Sequence, residues 1–221
     1  MEIWTDYRVA LQVDGQFGAS IPRSVDEIRK MLEHRMPGRK PEGAVPIEEL
    51  TEQVAAEVGA DADDEFTPGW ATFKRDEQGL LYEARCVRGH IKDCAQQVVP
   101  FFPGVKAFRA KVVNSVYIKP NVFHVMRGGA PILEVNGAEE RFIQVMTRQG
   151  PRSSIKYVDY VIDPVLEFTL RLRTKGEIEK KHLDAIFEYG GTHGIGAERS
   201  QEWGQYSVLS FEPVGEEVVA K

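Results

Sequence analysis

The sequence predicts an α+β sandwich, in which an antiparallel sheet carries helices on one face. Two observations support this class. Strand-like segments occur in pairs, and single amphipathic segments separate the pairs, so that the order is strand, helix, strands, helix, strands, helix, strand. This alternation is typical of α+β folds. The chain also has no internal repeat of fixed period, which favours one elaborated domain over residues 1–221.

The first third of the chain combines regular and acid-rich segments. Residues 7–13 alternate imperfectly and predict a strand. Ser24 with Glu27 three residues later forms a capping box, which predicts a helix from there to Pro37. The acid-rich stretch 39–69 has the composition of an insertion, with a short acidic helix at 47–58.

The rest of the chain supplies most of the predicted sheet. Pro164 predicts a bend or an edge position in the middle of the segment 157–173. Residues 213–221 are predicted to form a tail. The predicted strands are 71–74, 80–86, 107–118, 121–126, 141–146, 157–173 and 205–211, and the predicted helices are 88–99 and 177–189.

Composition excludes several classes of protein. The chain has 221 residues, is 42% hydrophobic and 28% charged, and contains two cysteines, Cys86 and Cys94. Two cysteines exclude a disulfide scaffold and a four-cysteine zinc site. No apolar run approaches the roughly 20 residues of a membrane span, and the acidic N-terminus lacks the pattern of a signal peptide. We therefore expect a soluble, cytoplasmic protein without a membrane partner.

The net charge of −6 conceals an uneven distribution. Residues 42–65 hold nine acids and no base, whereas residues 85–119 hold seven bases and the single acid Asp93. A local basic field can bind a polyanion even on an acidic protein, because salt screens charges beyond about 8–10 Å. The alternative is that these charges are solvated strand faces.

Aromatic residues interleave with the bases, a pattern typical of single-stranded nucleic-acid binding. Phe101, Phe102, Phe108 and Tyr117 are the aromatic residues concerned, although each could equally belong to the core of the sheet. The candidate RNA-binding cations are Arg85, Arg88, Lys92, Lys106, Arg109, Lys111, Lys119, Arg148 and Arg152.

The most specific signal is the segment 190–204, GGTHGIGAERSQEWG, with five glycines in fifteen residues. Glycines at this density indicate positive φ angles or a very close approach of the backbone. A dinucleotide-binding loop is excluded, because these glycines follow a helix and precede a strand, and only seventeen residues remain after Gly204. A structural turn and a small-molecule site remain as alternatives.

This segment resembles the C-terminal glycine-rich loop of the RAMP superfamily, the CRISPR-associated RNA-binding proteins of antiviral defence. The upstream residues Gly89, Ile91 and Lys92 are similar to the family's strand-to-helix segment. Two acids depart from the pattern, since members usually have a base and a glycine where this chain has Glu198 and Glu202. The matching loop residues are Gly194, Gly196, Ala197, Ser200, Trp203 and Gly204.

The resemblance implies a ferredoxin-like (RRM-like) fold and RNA binding by the loop. Gly194, Gly196, Arg199 and Ser200 are the loop residues that it assigns to RNA. The implied function is a non-catalytic RNA-binding subunit of a CRISPR-related or phage-borne ribonucleoprotein assembly. Its partners would be single-stranded or guide RNA and other protein subunits.

Candidate catalytic and metal-binding residues have weaker support. Cys86, His90 and Cys94 follow each other at four-residue intervals, but the first lies at a strand end, and we expect neither a metal nor a cofactor. His193 is a weak candidate for general acid or base in a metal-independent endoribonuclease. A further alternative is an acidic scaffold or anti-defence protein that acts through residues 42–65.

Overall fold

A computed structural model describes residues 2–35, 45–60, 69–147 and 150–215. The strands are β1 (Trp4–Val13), β2 (Gln16–Gly18), β3 (Ile21–Pro22), β4 (Trp70–Thr72), β5 (Lys74–Asp76), β6 (Gly79–Glu83), β7 (Val116–Lys119), β8 (Val122–Arg127), β9 (Ala130–Pro131), β10 (Gly137–Thr147), β11 (Gly150–Ile162), β12 (Val165–Arg173) and β13 (Tyr206–Pro213). The helices are α1 (Val25–Arg35), α2 (Ile47–Val58), α3 (Ala84–Gln97), α4 (Phe108–Ser115) and α5 (Lys180–His193). Short 3-10 turns occur at Val99–Phe101 and Arg199–Gln201. The predicted α+β class is confirmed.

The chain divides into two compact units. Unit 1 comprises Met1–Phe17, Tyr82–Ile132 and Ile162–Lys221, and unit 2 comprises Gly18–Leu81 and Leu133–Val161. Whether the whole chain behaves as one domain stays a prediction. In the part of the chain that the structure describes, no helix has the length and apolar character needed to cross a membrane.

Unit 1 contains an antiparallel sheet in which β13, β1, β12 and β8 are consecutive neighbours, with β7 beside β12 and β9 beside β8. Along the chain the main elements follow one another as β1, α3, β8, β12, α5 and β13. Numbering these four strands in chain order gives the spatial order 4-1-3-2, which is that of the ferredoxin-like βαββαβ fold.

The apolar side of this sheet forms the core of unit 1. Val9 on β1 lies opposite Phe168 on β12 and Phe211 on β13, and all three are buried. Leu183 and Ile186 are buried on α5, which packs against β13 and α3. Alternation along the strands therefore directs one set of side chains toward the helices, as period-2 patterning requires.

Unit 2 contains the second sheet, in which β10, β11, β4 and β3 are consecutive neighbours. Its β11–β4 pair is parallel. The buried Asp159 of β11 accepts a hydrogen bond of 2.9 Å from the indole nitrogen of Trp70. Helices α1 and α2 pack together through Ile28, Ala55 and Val58.

The acid-rich stretch 39–69 is described only in part. Residues 45–60 include the predicted helix, which is confirmed as α2. Its Ala55 and Val58 are buried, so that α2 contributes to an apolar cluster despite its acidic outer face. Residues 39–44 and 61–68 lie outside the described residues, as do residues 216–221 of the predicted tail. The insertion therefore stays a prediction.

One predicted strand is wrong. Residues 107–118 form helix α4 followed by the short strand β7, rather than one strand. The β-branched residues Val112 and Val113 favoured a strand in the sequence. However, the buried positions Phe108, Val112 and Ser115 recur at helical spacing, and the contact of α4 with α3 satisfies that apolar face.

Candidate nucleic-acid interface

Helix α3 positions the first group of predicted cations. The helix follows β6 directly, and its first amide, that of Ala84, donates to the carbonyl oxygen of Asn121 at 2.8 Å. Side chains three or four residues apart share a helix face. Val87, Ile91 and Cys94 are buried on one side of the helix. The exposed side chains on the other side are Arg85, Arg88 and Lys92.

These three cations line a common cavity of about 220 Å³ between α3 and α4. The cavity combines positive charge with an aliphatic wall, which suits a ligand that has both an anionic and an apolar part. Its lining residues are Arg85, Arg88, Gly89, Ile91, Lys92, Val112, Val113 and Val116.

Arg88 is the cation with the most contacts in this cavity. Its Nη2 donates to the carbonyl oxygen of Val113 at 3.3 Å, and its guanidinium lies 5.0 Å from the centre of the Tyr117 ring. Arg85 forms an ion pair with Glu83, which offsets part of its charge. Lys92 is exposed. Arg88 is thus held in place by α4 and β7, whereas the ammonium of Lys92 lies in solvent.

The remaining predicted cations do not line this cavity. Lys106 and Arg109 are exposed just before and within α4, and Lys119 is exposed on β7. Lys111 is half-buried and forms an ion pair with Glu177. Arg152 lies on β11 of unit 2, and Arg148 falls outside the described residues.

The glycine-rich loop packs against itself. The amide of Ile195 donates to the carbonyl oxygen of Gly204 at 2.8 Å, which closes the loop at its base. A Cβ added at Gly204 would overlap the carbonyl oxygen of Ile195, and one at Gly194 would overlap that of Trp203. Both glycines also have positive φ, +73° and +79°. The chain's own backbone therefore accounts for these two glycines.

The polar side chains of the loop contact one another and α3. Arg199 Nη1 donates to His193 Nε2 at 3.1 Å and lies 3.7 Å from a carboxylate oxygen of Asp93. A guanidinium has no acceptor, so His193 Nε2 is the acceptor in this contact. Ser200 is exposed in the following 3-10 turn, and Gly196 has a φ of +92°. The assignment of these loop residues to RNA stays a prediction.

His90 faces the loop from the inner side of α3. Its Nε2 lies 2.9 Å from the hydroxyl of Tyr206. Burial, assisted by the charge of Arg199, lowers the pKa of His90 to about 3. A Cβ at Gly190 would lie 2.6 Å from His90 Nε2. His90 therefore packs in its neutral form beside Gly190 of α5 and Tyr206 of β13.

Cys86 lies within α3 rather than at a strand end, so that Cys86, His90 and Cys94 follow one another along the same helix. Cys94 Sγ lies 3.7 Å from the ring nitrogens of His90, but burial and the charge of Asp93 raise the pKa of this thiol to about 12. Across the residues that the structure describes, no group of three or more His, Cys, Asp or Glu side chains could hold a metal ion.

The sequence did not reveal the apolar wall of the cavity. Val112, Val113 and Val116 come from the segment that was predicted to be a strand, where alternate side chains would point in opposite directions. The helical spacing of Phe108, Val112 and Ser115 was the signal that could have placed Val112 and Val113 on α4, and Val116 begins β7. The meeting of α4 with α3 depends on tertiary packing and had no sequence signal.

Comparisons with known proteins add a structural likeness. No family model matches the sequence, and no curated protein matches it. A chain in the cryo-EM structure of the type III-B Cmr-beta bound to cognate target RNA is similar, with a TM-score of 0.48 and 10% identity. The alignment covers 96% of the present chain, which spans about 61% of the length of that chain.

Proposed function

We propose that this protein is a non-catalytic, cytoplasmic RNA-binding protein of the RAMP type and a subunit of a CRISPR-related or phage-borne ribonucleoprotein assembly. The observation that carries the proposal is the convergence of Arg85, Arg88 and Lys92 on one cavity of a ferredoxin-like unit. Cations held along one helix face can follow the phosphates of a strand, and the adjacent apolar surface can receive its bases.

The environment of His193 supports binding without cleavage. A general base needs a free lone pair within hydrogen-bond reach of the hydroxyl that it deprotonates. The Nε2 lone pair of His193 accepts a hydrogen bond from Arg199, and the same guanidinium forms an ion pair with Asp93. This arrangement favours a role for His193 in holding Arg199 and the loop, rather than in proton transfer.

The proposal is tested by the paired substitution Arg88→Ala and Lys92→Ala, with single-stranded RNA binding followed by fluorescence anisotropy across a salt series. Each phosphate contact to a single strand contributes a slope of about −0.7 in log K against log salt, so loss of two contacts should flatten the slope by about 1.4. We also expect an affinity loss of about tenfold or more at low salt.

The matched control is the pair Arg29→Ala and Lys30→Ala. These residues are exposed on α1 of unit 2, and their replacement removes the same charge from a different part of the chain. The control should bind RNA as the parent does. Equal binding and equal salt slopes for both pairs would contradict the proposed interface, and cleavage of RNA by the parent without metal would contradict the non-catalytic assignment.

A further inference from the structure

Gly89 is in a position where nothing in the fold requires glycine. It lies inside α3, where glycine is less stable than alanine by about 0.5–1 kcal/mol. Its φ is not positive, and a Cβ built on it meets no atom of the described residues within 4 Å, its own helix backbone aside. Neither backbone strain nor packing against the described residues explains the missing side chain.

Gly89 also lines the cavity between α3 and α4. The missing side chain leaves the backbone of α3 open at a point flanked by the side chains of Arg85, Arg88 and Lys92. Any larger residue would project into the same space. The most direct explanation for glycine here is that a ligand approaches the helix backbone closely.

The chemistry of the lining defines that ligand. The amide of Gly89 lies beyond the first turn of α3, where amides are used in the helix's own hydrogen bonds. The ligand is therefore received at Gly89 by shape rather than by a hydrogen bond. Val113 and Val116 provide an apolar wall, and Arg88 and Lys92 provide charge for a phosphate. A flat base joined to a phosphate has both parts.

We propose that this cavity receives one unpaired nucleotide of the bound RNA strand. Its base lies against Gly89 and the valine wall, and its phosphate lies at Arg88 and Lys92. The inference rests on the proposed function, because it names how the same interface recognises the strand. A base can enter the cavity only when it is unstacked and unpaired, which restricts this contact to single-stranded RNA.

The test is the substitution Gly89→Leu, whose Cβ meets no atom of the described residues within 4 Å and whose longer side chain should occupy part of the cavity. Leucine is a strong helix former, so the melting temperature should not fall below that of the parent. Affinity for a short single-stranded RNA should fall by about tenfold, within the range found when one base contact is removed. Affinity for the duplex of the same sequence should not change.

Gly89→Ala is the size control. A single methyl group already separates a base from the helix backbone, so this variant should lose RNA affinity by about two- to threefold, less than Gly89→Leu, while its melting temperature should rise by about 1–4 °C. Competition by AMP or UMP alone distinguishes the source of the nucleotide. Strong displacement of the RNA by either mononucleotide would assign the cavity to a free nucleotide and overturn the proposal.

The remaining outcomes separate this inference from the proposed function. Gly89→Leu could bind single-stranded RNA as tightly as the parent while the double substitution of Arg88 and Lys92 by alanine weakens binding. In that case the proposed interface is supported, and the assignment of the cavity to a nucleotide is wrong. An equal loss on single-stranded and duplex RNA would also overturn the cavity. If neither variant weakens binding, the proposed function itself fails.

Discussion

The glycine-rich loop at 190–204 and the outer face of α3 at 85–92 both contain glycine, but for different physical reasons. In the loop, a Cβ at Gly194 or Gly204 would overlap backbone of the same chain. In α3, a Cβ at Gly89 would enter open space. Close approach within the protein therefore accounts for Gly194 and Gly204, whereas Gly89 leaves room for a partner outside the protein.

The charges of the two regions differ in the same sense. The cations of α3 line a cavity, whereas the loop cation Arg199 already contacts His193 and Asp93. The loop also carries Glu198 and Glu202, and a carboxylate near phosphate weakens binding. We therefore expect α3 to contribute more to RNA affinity than the loop does.

The largest effect is expected for Gly204→Ala. The new methyl group would overlap the carbonyl oxygen of Ile195 and would also force alanine into a φ of +73°. We expect a loss of more than about 3 kcal/mol in the free energy of unfolding, measured by urea denaturation.

Gly15→Ala is the matched control for this change. Gly15 has a similar φ of +75°, but a Cβ there meets no described atom within 4 Å. It should lose only the backbone term of about 1–2 kcal/mol. The milder Gly194→Ala variant completes the comparison, because its folded fraction should bind RNA as the parent does. A weakened affinity with an unchanged melt would instead place RNA at the loop.

The second effect concerns the inner side of α3, where His90 is buried against the loop. Its pKa is lowered to about 3, from an ordinary value of 6.5. Between these values the unfolded chain binds a proton that the folded protein does not, so stability falls as the pH falls through this window. The expected contribution is about 1.4 kcal/mol for each pH unit.

The measurement is urea denaturation of the parent and of His90→Gln between pH 6.5 and the onset of acid unfolding. Glutamine does not titrate and can still bond to the hydroxyl of Tyr206. The parent should therefore lose stability more steeply than the variant as the pH falls. Parallel pH profiles would show that His90 becomes protonated within the folded protein.

Local patterns predicted most of the elements that build these two regions. The apolar spacing of 177–189 indicated α5, which spans Lys180–His193. The separation of α3 from the strands on either side was also readable, because its buried residues recur at helical spacing. The ferredoxin-like order came from the resemblance, and the strand neighbours of unit 1 agree with it.

The features that distinguish the two regions could not be read from the sequence. Ile195 and Gly204 are nine residues apart, and their contact depends on how the loop closes. The openness around Gly89 depends on where α4 lies, and α4 was predicted to be a strand. The sequence also could not show which of the predicted cations line the cavity and which lie elsewhere. That division depends on tertiary packing, which places Lys111 against Glu177.

The smallest expected effect concerns Glu202, which has a φ of +64° in the loop. A residue with a Cβ is strained in this left-handed region by about 1–2 kcal/mol, whereas glycine adopts it freely. Glu202→Gly should therefore stabilise the protein, by less than about 1 kcal/mol, because glycine also gains entropy in the unfolded chain.

Glu202→Ala separates strain from charge in this experiment. Alanine removes the carboxylate but keeps the Cβ and the strained φ, so its urea midpoint should stay close to that of the parent. An equal gain in both variants would assign the effect to loss of the charge. A loss of stability in Glu202→Gly would mean that the side chain of Glu202 makes contacts worth more than the strain, and the loop would then depend on its acid as well as on its glycines.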